Sequence, residues 1–148
     1  MEYEKYEFVK GASEFEYEFY SLGPKGRIKK VVNFEKIEEP GIRYNLSFTD
    51  WDEKLRQKSD EVVTNNQDRD KVLATVAVIA IDFILTHPDF IIIALGRTIS
   101  RVRLYQMGIT RIIDKLDPNF VIEGYLNNEW VSFEKGLNFE AFKLKIKS

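Results

Sequence analysis

The sequence contains no cysteine and only one histidine among its 148 residues. The absence of cysteine excludes disulfide bonds, thiolate metal sites, iron–sulfur clusters and cysteine nucleophiles. It also fits a reducing compartment, and we expect a cytoplasmic protein. A Ser-His-Asp triad would have to use His87, which stands beside Pro88 at the end of a predicted helix. The pattern there favours a side chain that hydrogen-bonds the last carbonyls of the helix.

The sequence also lacks a hydrophobic run long enough to cross a membrane. Its longest apolar stretch, residues 72–81, is interrupted by Thr75 and is about half as long as a membrane helix. The N-terminal residues are acidic and aromatic, unlike a secretory signal peptide, so we expect no membrane association. A formal net charge of -2 argues against a protein that coats nucleic acid, and an anionic ligand would need a local basic patch.

Aromatic residues are plentiful, with 11 Phe and 7 Tyr, and they fall in alternating patterns that predict strands. In the first such stretch Phe15, Tyr17 and Phe19 share one face. Two more stretches alternate in the same way and are separated by turns with glycine and proline at residues 23–26 and 38–41. The first part of the chain is therefore predicted to form a three-stranded antiparallel meander.

A first helix is predicted after a charged loop that holds a short extended segment at residues 61–64. The helix begins at an Asn66 or Asp68 cap. It ends near Thr86, because the residue before Pro88 avoids helical geometry.

This first helix is apolar over most of its circumference. At about 100° per residue, Lys71, Thr75 and Asp82 form one narrow polar stripe. A helix of this kind is covered on more than one side. Its neighbours must be the sheet and either a second helix or another protomer, and the latter alternative predicts a homo-oligomer.

The remaining elements follow from shorter patterns. The apolar run at residues 90–95 predicts a strand buried on both faces, and an amphipathic helix is expected over residues 98–116. A hairpin with an Asn-Asn turn follows, and residues 142–147 alternate as a final strand. The order β-β-β-α-β-α-β-β, with a further β at the end, predicts an α+β fold in which a mainly antiparallel sheet carries both helices.

The length of the chain is that of one domain, which we expect over residues 1–148 with residues 1–12 loosely attached. The order of elements is also that of ribonuclease-H-like folds. That likeness is one of topology alone and carries no chemistry by itself.

One functional hypothesis is a metal-dependent nucleic-acid-processing enzyme of ribonuclease-H-like topology. Such an enzyme needs several acids that converge on metal ions from different elements. However, the buried strand ends at Arg97, where a metal would favour an oxygen ligand, and acids at turns and caps need no metal. We expect no metal site and no cofactor. The acids available to this hypothesis are Asp50, Asp52, Asp68, Asp70 and Asp82.

The stretch GRTISR, residues 96–101, follows the buried strand and opens the second helix. A glycine turn, hydroxyl groups and free N–H groups at a helix start form an anion-binding geometry. Arg97 and Arg101 are spaced i, i+4, so both can point to the same side, and cations of the first helix start can join them. The predicted ligand-binding residues are Arg69, Lys71, Arg97, Thr98, Ser100 and Arg101.

A structural interpretation of the same arginines stays open. Arg97, Ser100, Arg103 and Arg111 lie opposite the apolar face of the second helix, as expected of a solvated face. Arg101 borders the apolar face and is expected to bury its stem or to pair with an acid of the first helix start. The leading hypothesis is a binding or interaction module that takes a phosphate-bearing ligand or a protein partner. The alternatives are the metal-dependent enzyme and a self-associating protein.

Several stretches together resemble a known family. The more specific of them are NNQDRDKVLATV and RVRLYQ, and the likeness extends from about Tyr6 to Phe142. Through these motifs the chain is similar to a family of short bacterial proteins catalogued as a domain of unknown function. The resemblance implies a single-domain bacterial protein and implies no activity, cofactor or catalytic residue. The stretches are SLGPKGRIKKVV, LSFTDWD, NNQDRDKVLATVA, GRTISRVRLYQMGI and WVSFEKGLNFEAF.

Overall fold

The computed structural model describes residues 4–37, 42–58 and 65–147 of the chain. The predicted turn at residues 38–41 and the predicted extended segment at residues 61–64 lie outside the described residues. The strands are β1 (Val9–Lys10), β2 (Glu16–Gly23), β3 (Gly26–Ile37), β4 (Arg43–Asp52), β5 (Gln57–Lys58), β6 (Ile91–Ala94), β7 (Phe120–Leu126), β8 (Glu129–Ser132) and β9 (Ala141–Ile146). The helices are α1 (Arg69–Thr86) and α2 (Ile99–Ile112), which a short 3-10 helix (Ile113–Lys115) extends.

The described strands form one mainly antiparallel sheet, which confirms the predicted α+β class. Its order is β1-β2-β3-β4-β6-β9-β7-β8, and β5 pairs with β4 beside this path. The only parallel pair among the described strands is β4 with β6. A parallel pair needs a crossover connection, and α1 provides it. The meander β2–β3–β4 is therefore joined to the second half of the sheet through its last strand, β4, which pairs with β6.

Both helices pack on the same face of the sheet. Tyr17 and Phe19 of β2 are buried in the core, as the alternation predicted, and Phe142 of β9 joins them from the other half of the sheet. The core also contains Phe83 of α1 and Tyr105 of α2. The opposite face of the sheet carries no helix of the described chain, which an antiparallel sheet tolerates when that face is polar.

Helix α1 is covered on several sides, as its composition required. Its Phe83 is fully buried and stacks on Phe34 of β3, with ring centroids 3.9 Å apart. Helix α2 packs along a second side of α1 and is therefore the second neighbour that the sequence required. The prediction of a homo-oligomer is thus not required by α1 and stays a prediction.

The polar stripe of α1 is used to attach neighbouring segments. The backbone N–H of Tyr6 donates to the hydroxyl of Thr75 at 2.9 Å, and the ring of Tyr6 lies 4.3 Å below the ammonium of Lys71. Further along the helix, the hydroxyl of Tyr17 donates to Asp82 at 3.0 Å. Tyr6 belongs to the segment for which loose attachment was predicted, yet its side chain is buried in the core.

The end of α1 differs from the expectation for His87. The residue caps the helix, but it is its backbone N–H that donates to the carbonyl of Phe83, at 3.0 Å. The imidazole stacks on Phe90 with ring centroids 4.6 Å apart, and its buried Nε2 has no hydrogen-bond partner in the part of the chain that the structure describes. The ring therefore serves packing and does not bind the helix carbonyls.

We expect Phe83→Ala to lower the free energy of unfolding by about 3–5 kcal/mol, because a buried ring stacked in the core leaves a cavity. Leu85→Ala is the matched control, since that side chain of the same helix is 59% exposed, and its effect should stay within about 0.5 kcal/mol. Urea unfolding followed by circular dichroism measures both values. Equal losses in the two variants would contradict the described packing of α1.

The hydroxyl of Tyr17 predicts a loss of stability in alkali. Burial raises the pKa of Tyr17, and the hydrogen bond to Asp82 raises it further. As the pH rises, the unfolded chain therefore releases the phenol proton first, at about pH 10. The contribution of this hydroxyl to the free energy of unfolding is complete below that pH and is lost as the pH rises above it. We expect the free energy of unfolding to decline less steeply above pH 10 in Tyr17→Phe than in the unaltered protein. Identical slopes in denaturant titrations across this range would refute the assignment.

Candidate functional site

The connection between β6 and α2 is a tight turn at Gly96. Its φ angle is +31°, and a Cβ atom there would stand 2.6 Å from the side chain of Val102. Helix α2 then begins after Thr98, whose hydroxyl accepts the backbone N–H of Arg101 at 3.1 Å. The turn therefore folds as the sequence predicted, but the hydroxyl of Thr98 is occupied as a helix cap.

Arg101 is tied to the sheet. Its Nη1 donates to the carbonyl of Phe48 on β4 at 2.6 Å. It also lies beside Tyr105, whose pKa is raised by burial and lowered by the neighbouring guanidinium, with burial the larger effect. The expected burial of the Arg101 stem agrees with this position, whereas no ion pair with an acid of the α1 start is present in the described residues.

Arg103 has a structural role that the helical pattern did not reveal. Its guanidinium donates to Gln106 Oε1 at 2.6 Å, to Asn138 Oδ1 at 2.9 Å and to the carbonyl of Phe139 at 2.5 Å. The expectation that Arg103 belongs to a solvated face is therefore wrong. Arg111, from the same predicted face, forms an ion pair with Asp70 at 3.3 Å and thereby links α2 to the start of α1.

The start of α1 is fastened by Asp68. The carboxylate accepts hydrogen bonds from the hydroxyl groups of Tyr6 at 2.6 Å and of Ser21 at 2.5 Å, and makes no side-chain cap bond to its own helix. Asn66 extends the network, because its amide donates to the Ser21 hydroxyl at 3.1 Å and to the carbonyl of Gly26 at 2.9 Å. Burial and the bond to Asp68 both raise the pKa of Tyr6. This network joins three distant segments and has no local sequence signal.

A groove of about 190 Å³ lies between the start of α1 and the second turn of α2. Arg69 stands at this groove, and Arg101 reaches its wall through the bond to Phe48. Lys71 faces the N-terminal segment instead, where its ammonium lies 3.6 Å from Glu4. The groove is lined by Phe48, Asn65, Asp68, Arg69, Val72, Leu73 and Leu104.

Half of the six predicted ligand-binding residues are engaged by other groups of the structure. Arg69, Arg97 and Ser100 are exposed, and none of them has an ion pair or side-chain hydrogen bond within the described ranges. Beside them stand two exposed apolar side chains, Leu95 at 49% and Ile99 at 81% exposure. The structure therefore divides the six predicted residues: Lys71, Thr98 and Arg101 have neighbours to bind, and Arg69, Arg97 and Ser100 remain available.

The acids considered as metal ligands are separated and individually bound. Within residues 4–37, 42–58 and 65–147, no group of three or more His, Cys, Asp or Glu residues is arranged to hold a metal ion. The metal-dependent enzyme hypothesis thus finds no supporting geometry there. The partners are Lys30 for Asp50, the backbone N–H of Lys54 and Leu55 for Asp52, Tyr6 and Ser21 for Asp68, Arg111 for Asp70, and Tyr17 for Asp82.

Neither described helix combines the length and the hydrophobicity needed to cross a membrane. Residues 2–147 match the family model DUF6934, a family of unknown function. The chain belongs to DUF6934. This confirms the resemblance to a domain of unknown function that the sequence motifs indicated. No curated protein and no solved structure matches the DUF6934 chain.

The arginines of α2 allow a direct test of this division. Arg103→Ala should lower the free energy of unfolding by about 1.5–3 kcal/mol, because three acceptors lose a charged donor. Arg97→Ala should change it by no more than about 0.5 kcal/mol, since its side chain is exposed. Urea unfolding of both variants provides the comparison, and a reversed order of the two effects would show that the division is incorrect.

Proposed function

We propose that the protein is a binding module that engages an acidic partner protein through the surface at the start of α2. We call this surface the helix-start surface and define it by Leu95, Arg97, Ile99 and Ser100. The observation that carries the proposal is the combination of Arg97, which is exposed and has no ion pair within the described ranges, with Leu95 and Ile99, which are 49% and 81% exposed.

This combination has the chemistry of a protein interface. Isolated exposed apolar residues are ordinary, but here two of them flank an arginine within five residues of chain. Arginine and large apolar side chains contribute most of the binding energy in many interfaces. The helix-start surface therefore offers both apolar area that a partner can bury and a charged side chain that a partner can bind.

The charge of the surface favours an acidic partner. Arg97 is exposed, and the first backbone N–H groups of α2 add positive potential. A carboxylate or phosphorylated side chain of the partner would meet this arginine, which has no ion pair among the described residues.

The apolar side chains of the surface favour a protein over a small molecule. Two pockets lie at the start of α1, a groove of about 190 Å³ and a polar depression of about 550 Å³ that is lined by Glu4, Asn65, Gln67, Asp68, Arg69, Asp70 and Lys71. The volume of the depression falls within the range of typical small-molecule sites, about 300–1,000 Å³. Its lining does not include Leu95 or Ile99, whose exposed apolar area suits a partner chain.

A displayed random-peptide library selected on the full chain tests the proposal. We expect selected peptides to contain acidic and large apolar residues, and to bind Arg97→Ser/Ile99→Ser at least about tenfold more weakly, a loss of about 1.4 kcal/mol. The matched control is Leu22→Ser/Arg27→Ser. It removes an exposed leucine of the β2–β3 hairpin and the arginine that stands opposite it on the neighbouring strand. Binding that falls equally in both variants would contradict the proposal.

Two further outcomes would replace the acidic partner with another ligand. A rise in melting temperature with inorganic phosphate or a nucleotide that vanishes in Arg97→Ser would assign a small anion to the surface. A ligand at about 100 times its Kd adds about 2.7 kcal/mol, which is readily measured for a chain of this length. Light scattering that shows a dimer dissociated by Ile99→Ser would assign a second copy of the chain.

A further inference from the structure

The face of the sheet opposite the helices carries a group of cations at its centre. Arg43 of β4 is paired with Ile91, and Lys143 of β9 is paired with Ile93, so both side chains stand on the same face on either side of β6. Lys145 follows two residues later on that face. The alternate residues of β6 and β9 belong to the core beneath the helices, which places this group on the open face.

These cations are more buried than a solvated sheet face requires. Lys143 is 8% exposed although no helix of the described residues covers it. The Nε atom of Arg43 is buried and has no hydrogen-bond partner within residues 4–37, 42–58 and 65–147. A buried N–H without an acceptor is uncommon because its lost hydration is not replaced. In the described part of the chain, Arg43 Nε therefore lacks an acceptor.

The charges of the group are also unbalanced. In the described residues, Glu123 is the acid within ion-pair distance, at 3.7 Å from the Lys143 ammonium. Burial lowers the pKa of Lys143, and the nearby charges of Arg43 and Lys145 lower it further, while Glu123 opposes them. Trp130 forms a wall beside the ammonium, which lies 4.3 Å from the ring centroid. Among the described residues, three partly or wholly buried cations thus stand near one carboxylate, that of Glu123.

We propose that Arg43, Lys143 and Lys145 form a binding site for an oxyanion, a carboxylate or phosphate group, on the open face of the sheet. A guanidinium binds such groups through a pair of parallel N–H donors, and Nε supplies one member of that pair. The oxyanion would provide the acceptor that Arg43 lacks and would offset the repulsion among the three cations. The site lies on the face opposite the helix-start surface and does not depend on the proposed partner.

Titration of the full chain with inorganic phosphate and with acetate at low ionic strength tests this site. Trp130 reports locally in a Trp51→Phe background, because Trp51 is the other tryptophan of the chain. We expect saturable fluorescence changes with at least one anion, and Kd values raised about tenfold or more in Arg43→Gln and in Lys143→Met. Arg27→Gln, an exposed arginine of the same face that stacks on Tyr20, should leave Kd within about twofold.

Each result decides the proposal. A response to phosphate alone or to acetate alone would identify the group that is bound, and both support the site. No saturable response, or equal weakening in Arg27→Gln, would overturn it. Weakening in Arg97→Ala but not in Arg43→Gln would assign the anion to the helix-start surface instead. If Arg43→Gln does not fold, Arg43→Lys keeps the charge but removes the paired donors, and unchanged binding in that variant would also overturn the proposal.

Discussion

The exclusion of water from α1 is the constraint on which most of this structure depends. A helix that is apolar around most of its surface needs cover on several sides, and a single sheet provides only one. The stacking of Phe83 on Phe34 fixes the helix over the meander, and α2 packs along its flank. The third side is closed by the N-terminal segment, which the narrow polar stripe binds through Thr75. The polar residues of the stripe thus serve as attachment points for neighbouring segments.

The sequence was sufficient to predict elements whose signals are local. The alternation of apolar residues predicted the strands of the meander, and the polar cap residues and Pro88 predicted the two ends of α1. The Asn-Asn turn has the positive φ angles, 53° and 65°, that a tight hairpin requires. The partner of β6 could not be predicted, since the choice between meander strands depends on packing over α1. The attachment of the N-terminal segment could not be predicted, because two of the hydrogen bonds of Tyr6 join it to residues more than 60 positions away.

The candidate site shows the same limit. The Thr98 hydroxyl accepts a hydrogen bond from a backbone N–H only three residues later, so this cap could be predicted from the sequence. Two of the three acceptors of Arg103 lie in a loop more than 30 residues away, so its helical position alone suggested solvent. The cations of the open face come from β4 and β9, and no motif connects them. Only the sheet order shows that an arginine and a lysine 100 positions apart, Arg43 and Lys143, flank the same short strand.

The central position of β6 has a consequence for how the chain is completed during synthesis. One edge of this four-residue apolar strand pairs with β4, which is synthesised before it. The other edge pairs with β9, which follows about 50 residues later in the chain. Until the ribosome has released residues 141–146, the Ile91–Ala94 strand presents unpaired backbone groups in the middle of the future sheet. Exposed strand edges recruit other chains, so a nascent molecule is most prone to aggregate in this interval. Pairing of β9 removes that edge and joins the two halves of the sheet in one step.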